Sequence, residues 1–315
     1  MTNTHRIQPS YRVIVPELQE RIRHSIGSFE ILMSYREGSV RSGVWKLRAA
    51  SGDYFLKLHA ELRKWHPEVY AYHNWVNAIR PSVPELVAVI EGEGYQGVLI
   101  TALEGQPLRD RELPLAQVLA VYREAGELAR RMHDSTVGSW FGVPRADGQP
   151  YGKSWDDPVA FMKAEFDFWC GKLLQPSSDL DERERALAHW MLDRLDVYAG
   201  ECPIPIHRDY QPINWLVDEA GQFTGVIDFE CMQWSLRIDP FFSLWSKHFR
   251  QTPGVEEAFC SGYGRNIALE NPEQYRVFKV HVGLCTLQYG TALGDAQMLQ
   301  TGHAMLREIM DDERR

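Results

Sequence analysis

The sequence predicts an α+β chain in two parts, a β-rich N-terminal region and a mainly helical C-terminal region. Three observations support that reading. Short apolar or alternating runs, bounded by Gly, Pro or Asp, crowd the stretch up to Thr101. From Leu115 onward, apolar residues recur three and four positions apart, the spacing of a buried helical stripe. A chain of 315 residues with 44% hydrophobic content can bury a large core, in one large domain or two lobes. The division is expected at residues 1–104 and 105–315.

Pro16 to Ile26 carries Leu18, Ile22 and Ile26 on one face and meets Gly27, which predicts a short helix. Ile31-Leu32-Met33 opens a strand and Val44 to Leu47 forms the next. The loop between them, Tyr35 to Gly43, holds Gly38, Ser39 and Gly43. Such a loop can aim backbone N–H groups at phosphates, because glycine lets the main chain approach closely. Judged alone, it reads equally as an ordinary hairpin. In Asp53 to His59, alternation places Tyr54, Leu56 and Leu58 on one face and Phe55, Lys57 and His59 on the other. An ammonium among apolar neighbours needs an anionic partner. The next helix is expected to begin near Pro67. Glu68 then shares a face with Tyr72 and Trp75 and is preferred over Glu61 as the partner of Lys57. Strands follow near Leu86 to Glu91 and Gly97 to Thr101. The segment Thr101-Ala102-Leu103-Glu104-Gly105 reads as a hinge whose exposed backbone groups suit an adenine edge.

Leu115 to His133 is expected to be a long amphipathic helix, with His133 complementing the dipole at its end. Beyond the Gly- and Pro-rich connector Val137 to Gly152, helices are expected near Trp155 to Leu174 and Asp181 to Tyr198. Their acids, Asp156, Asp157, Glu165, Asp167 and Glu184 among them, form a solvated face, some of it available to a cationic substrate. Phe161, Phe166, Phe168 and Trp169 read as core. Val255 to Arg315 reads as helices with Phe278, Val282, Leu284, Leu287 and Tyr289 packed inward.

The net charge of −9 argues against general nucleic-acid binding and suits a cationic small substrate. Cys170, Cys202, Cys231, Cys260 and Cys285 are odd in number and widely scattered, with no CxxC pair. They are expected to be reduced core thiols, with neither a zinc site nor a disulfide framework. The N-terminus lacks an apolar signal-type run and no segment approaches a membrane span, so a soluble cytoplasmic protein with no membrane partner is expected.

The chemistry concentrates in Ile206-His207-Arg208-Asp209-Tyr210-Gln211-Pro212-Ile213-Asn214-Trp215 and Gly225-Val226-Ile227-Asp228-Phe229-Glu230. Between them, Glu219-Ala220-Gly221-Gln222 supplies the turn of a β-hairpin. Symmetric pairing about Gly221 sets Asn214 opposite Asp228. An amide oxygen and a carboxylate are hard ligands suited to Mg²⁺. Asp209, five residues before Asn214, is then placed to accept a proton from a substrate hydroxyl.

The order of a Lys57 strand, a Glu68 helix, a Thr101 to Gly105 hinge, His207-Arg208-Asp209, Asn214 and Ile227-Asp228-Phe229 resembles the aminoglycoside phosphotransferase family. The resemblance runs from about Leu32 to Trp245. It implies a protein-kinase-like two-lobed fold and an ATP-dependent (or GTP-dependent) O-phosphotransferase acting on a small molecule. Lys57, held by Glu68, would grip the α and β phosphates, with Ser39 in the phosphate loop and Thr101 and Leu103 at the base. Asn214 and Asp228 would hold Mg²⁺, and Asp209 would be catalytic. Protein kinases share His207-Arg208-Asp209, and Arg208 replaces the Gly more usual in the small-molecule family. However, Asp228-Phe229-Glu230 stands where protein kinases have DFG, and Asp239-Pro240 arrives without a long activation segment. That segment is the platform for a polypeptide, so its absence favours a small acceptor. Arg208 is expected to pair with Asp239 or Glu230. The resemblance suggests antibiotic inactivation. A metabolite kinase for a sugar, amino alcohol or amino acid is the alternative, and a nucleotide-binding pseudokinase scaffold a more distant one.

Overall fold

In the computed structural model, which describes residues 13–35, 42–175, 178 and 180–312, contacts group the chain into two units. The first comprises Met1–Gln117, Val143–Gly152 and Gln211–Gln233, and the second Val118–Gly142, Lys153–Tyr210 and Trp234–Arg315. The fold is the mixed one expected, a sheet-rich N-terminal part followed by helices.

The first unit is built on an antiparallel sheet of five strands in the order β1-β2-β3-β5-β4. These are β1 (Phe29–Ser34), β2 (Ser42–Ala49), β3 (Gly52–His59), β4 (Leu86–Gly92) and β5 (Tyr95–Thr101). Alternation in β3 works as the sequence predicts: Tyr54, Leu56 and Leu58 enter a core with Trp45, Leu47, Ile90 and Leu99. Helix α1 (Pro16–Ile26) closes that face with fully buried Leu18 and Ile22. Gly27, at φ 79°, ends it by donating its N–H to the Arg23 carbonyl.

Helix α2 (Leu62–Asn74) covers the other face. It begins ahead of the expected Pro67. Glu61, in extended conformation, accepts from the Lys64 and Trp65 N–H groups and starts the helix there. Pro67 falls just past the first turn, where it forfeits a single bond to the carbonyl of Arg63. The indole of Trp65 donates to the Gly97 carbonyl over 3.1 Å. A Cβ at Gly97 would lie 2.1 Å from the Lys57 carbonyl, so only glycine lets β5 approach β3 this closely. A second, three-stranded sheet joins β6 (Gln106–Pro107), β8 (Trp215–Val217) and β9 (Phe223–Val226).

In the second unit, α3 (Leu115–His133) enters from the first and packs Val121, Tyr122, Ala125 and Ala129 inward. It approaches α7 (Val255–Tyr263) closely, since a Cβ at Gly126 would meet the Phe259 carbonyl at 2.2 Å. Helices α4 (Pro158–Cys170) and α5 (Glu182–Leu192) follow, each capped by an aspartate, Asp157 and Asp181. Strand β7 (Ile204–His207) precedes the Asp209 loop, and β10 (Met232–Ser235) carries the chain back into this unit. The short helices α6 (Phe241–Leu244) and α8 (Ile267–Glu270) lead to α9 (Pro272–Leu293), which is buried along most of its length. Helix α10 (Ala296–Asp312) packs on α9 through Met305, Leu306 and Ile309. Tyr289, expected inside, is 45% exposed and stacks on Trp169. Phe168 is likewise exposed, while Phe161 and Phe166 are core.

His133 departs from the dipole role expected of it. It is buried, its Nδ1 accepts from the Tyr263 hydroxyl over 2.8 Å, and that hydroxyl accepts from Arg237 over 3.0 Å. Burial, reinforced by the charges of Arg237 and then His207, pulls its pKa down to about 3, so the ring is neutral. Replacing Gly97 by Ala is expected to cost about 1–3 kcal/mol of unfolding free energy through overpacking. The urea midpoint of Gly97→Ala, at unchanged m value, checks this.

Candidate active site

The centre of the first unit's chemistry is the Lys57 ammonium. Alternation turns it away from the α1 face and towards α2, where water is excluded. It donates to Glu68 Oε1 over 3.3 Å, lies 2.9 Å from Glu230 Oε2, and also donates to Asp228 Oδ1. Glu68, 1% exposed, is the partner chosen, not Glu61. His59, the next residue on the same face of β3, sits with Nε2 2.6 Å from the other oxygen of Glu68. Because Glu68 stays ionised, Nε2 is the nitrogen that carries the proton.

Three carboxylates thus surround one lysine. Burial opposes charge on Lys57, but Asp228, Glu230 and Glu68 together outweigh it and hold its pKa well above the usual lysine value. Burial also opposes charge on Glu230, yet Lys57, His59 and Lys64 overcome it and bring its pKa down to about 2. Glu68 is lowered in the same way, burial being outweighed by Lys57 and His59. Asp228 goes the other way: burial, then the charges of Glu230 and Glu68, exceed the pull of Lys57 and raise it. The cluster carries surplus negative charge, and Asp228 is where the surplus is felt.

Asp228 is held unusually. At φ 70° and ψ 64° it is the sole non-glycine residue with positive φ among the described residues. It follows β9, whose Gly225 passes so near the loop at Ser82 that a Cβ would lie 2.2 Å from the Ser82 carbonyl. The Val226 N–H donates to that same carbonyl over 2.9 Å. The hairpin register corrects the expected one. Trp215 pairs with Val226, and the Ile227 N–H donates to the Asn214 carbonyl over 3.0 Å, so Asn214 faces Ile227 rather than Asp228. An irregularity between Leu216 and Val217 shifts the strands from symmetry about Gly221. The left-handed turn at Asp228 then redirects the chain, bringing its carboxylate to Lys57.

Asn214 is 5% exposed. Asn214, Asp228 and Glu230 are all oxygen donors, and with surplus charge on the carboxylates they fit a hard divalent cation such as Mg²⁺. Glu230 belongs to this group, and the sequence reading had not assigned it there. The available signal was its place two residues after Asp228, where a glycine in the related kinase motif would bring no charge. At the hinge, the Thr101 and Ala102 N–H groups are committed to the carbonyls of Glu85 and Asp53, each over 2.9 Å. The Leu103 N–H has no hydrogen bond among the described residues. Ser39 lies outside the described residues.

In the second unit, Asp209 follows fully buried His207, whose Nδ1 accepts from the Asp209 N–H over 3.2 Å. Tyr210 is anchored by its hydroxyl to the Ala125 carbonyl over 2.7 Å. Arg208 pairs with Glu165 over 2.9 Å and with Asp239 over 3.4 Å, which settles its expected partner as Asp239 and adds Glu165. The loop is therefore held by side chains on both sides of Asp209.

The model of the phosphotransferase enzyme family matches residues 35–278. The chain belongs to that family. No curated protein sequence matches it. Among solved structures, aminoglycoside phosphotransferase APH(4)-Ia aligns with a TM-score of 0.67 at 18% identity, covering 93% of this chain and 97% of that one. The kanamycin and GDP complex of APH(2")-IIIa aligns at 0.60 and 16% identity, covering 94% and 99%. A putative aminoglycoside phosphotransferase from Ralstonia eutropha aligns at 0.60 and 14%, covering 93% and 94%. At these identities the family and its neighbours share the fold. No helix among the described residues is long and apolar enough to cross a membrane.

The low pKa of Glu230 has a measurable consequence. Its contribution to stability is complete above the ordinary glutamate value of 4.5 and is lost as pH falls towards about 2. Glu230→Gln should therefore flatten the loss of stability between pH 5 and pH 3, read as urea midpoints across that range. An unchanged slope would contradict the ion pair.

Proposed function

We propose that this member of the phosphotransferase enzyme family transfers the γ-phosphoryl group of ATP (or GTP) to a hydroxyl of a small molecule. The observation that carries the reading is the buried Lys57 ammonium shared by Glu68, Asp228 and Glu230. Nothing in a purely structural ion pair calls for three carboxylates on one lysine, whereas a site for polyphosphate and a divalent cation needs both signs of charge. Functionally the chain divides into a nucleotide-binding lobe, residues 1–104, and a C-terminal lobe, 105–315, that carries the catalytic loop.

In this mechanism Lys57 binds the α and β phosphates, and Glu68, fixed in turn by His59, keeps the ammonium aimed. The Leu103 N–H, beside Thr101, reads the base edge, and Ser39 belongs to the loop over the phosphates. Asn214 and Asp228, with Glu230, hold Mg²⁺, which supplies charge neutralisation on the phosphates when bound. Asp209 orients the acceptor hydroxyl and takes its proton. The paired Arg208 keeps that loop in place, so little reorganisation accompanies transfer. Because the transferred group makes few bonds in its transition state, positioning supplies most of the rate.

The acceptor we infer is a cationic antibiotic of aminoglycoside type. Fold neighbours have been solved with hygromycin B beside AMP-PNP and with kanamycin beside GDP. The net charge of −9 favours a cationic ligand, and the protein is read as cytoplasmic, where such drugs act. The short path from Asp228 to Asp239 leaves no platform for a polypeptide.

A coupled assay of ADP release against aminoglycosides and primary metabolites tests the reading. Turnover with at least one aminoglycoside is expected, together with resistance when a sensitive host expresses the chain. Turnover on a sugar or amino alcohol alone would replace the antibiotic with a metabolite. Asp209→Ala is expected to lower kcat by about 10²–10⁴-fold with nucleotide binding kept, and wild-type turnover in that variant would refute the assignment.

A further inference from the structure

Away from the phosphotransfer residues, in the second unit, Cys170, His281 and Cys285 bring their ligand atoms within 4.8 Å of one another. Cys170 ends α4, and His281 and Cys285 lie one turn apart on the same face of α9. The thiols approach to 3.2 Å, and all three side chains are buried, at 0%, 6% and 3% exposure. Nε2 of His281 has no hydrogen-bond partner. A buried ring nitrogen without a partner is costly in a protein interior. The ring packs against Phe166 and Phe242, neither of which can satisfy it.

We propose that Cys170, His281 and Cys285 form a zinc(II) site that ties α4 to α9. Two thiolates and an imidazole are a soft, tetrahedral-forming set. Binding converts two thiols to thiolates and releases two protons, so a neutral Zn(S⁻)₂N unit forms. That neutrality suits a pocket walled by aromatic rings, where a monovalent copper ion would leave a net negative charge. Tetrahedral zinc–sulfur bonds of about 2.3 Å require sulfurs about 3.8 Å apart, so the thiols open slightly to admit the ion. The set includes no fourth protein ligand, and a solvent molecule completes the tetrahedron. With the ligands buried, zinc enters during folding or local opening. The expectation that the cysteines form no zinc site rested on the absence of CxxC. Here the ligands come from helices 115 residues apart in the chain, a pairing that linear spacing does not reveal.

The site is distinct from the phosphotransfer chemistry, and its test does not depend on activity. Full-length, untagged protein carrying Cys202→Ser, which removes the exposed thiol, would be produced with zinc and dialysed against metal-free buffer. The expected result is one zinc per chain by elemental analysis. Cobalt(II) replacing zinc should give a thiolate-to-cobalt charge-transfer band and tetrahedral d–d bands. Cys285→Ser and Cys170→Ser should each lower retained zinc about tenfold or more, while Cys260→Ser, outside the cluster, should retain it. Should the ligand variants fail to fold, the parent protein decides the matter through its cobalt spectrum and a fall in Tm on chelation. No retained zinc, a cobalt spectrum without the thiolate band, or an intact mass showing a Cys170–Cys285 disulfide would overturn the proposal.

Discussion

A buried ammonium with three carboxylate neighbours is the constraint from which the first unit follows. Lys57 cannot sit on the inner face of β3 without compensation, and a single carboxylate would suffice to neutralise it. Supplying three requires α2 to lie across the sheet so that Glu68 points down, and requires the β8–β9 hairpin to end beside it. It also requires the chain after Ile227 to turn through a left-handed residue. Gly97 and Gly225 are the local concessions that make these approaches possible. The resulting charge imbalance is tolerable in a protein whose site is completed by a cation, and it explains why Asp228 alone among the three resists ionisation.

The second unit solves a different problem. Asp209 is reached by a short loop, and its backbone is held by His207, Tyr210 and the double pairing of Arg208 with Glu165 and Asp239. Arginine in place of the small residue more usual in the family therefore has a structural use. It links the loop to α4 and to the turn before α6. The same α4 ends at Cys170, so one helix carries both the brace of the loop and one ligand of the proposed metal site.

How much of this was legible in the sequence depended on whether the signal was local. The limits of α1 and α3 follow from helical stripes ending at Gly27 and His133, and the two faces of β3 follow from strict alternation. The pairing of Lys57 with Glu68 came from helical spacing despite a misplaced helix start. Pro67 misled because proline is favoured at first positions, yet the extended conformation of Glu61 decided the matter. The hairpin register failed because an irregularity at Leu216 leaves no mark in composition. Glu230 went unassigned because its proximity to Lys57 depends on the backbone conformation of Asp228. His133 and the Cys170 cluster were hidden for a related reason, since burial by distant helices decides whether a histidine is charged or a thiol has company.

The ion pair between Lys57 and Asp228 closes a separation of 171 residues, and this bears on how the molecule comes to be. A chain made from its N-terminus presents the five-stranded sheet long before Asp228 and Glu230 exist, so Lys57 first finds Glu68, eleven positions away. Until the later hairpin docks, α2 and β3 bury an ammonium with a single carboxylate and His59. The charge centre is therefore a late-forming, high-contact-order feature. A chain that has its phosphate-binding lysine fully surrounded has already completed its longest-range closure.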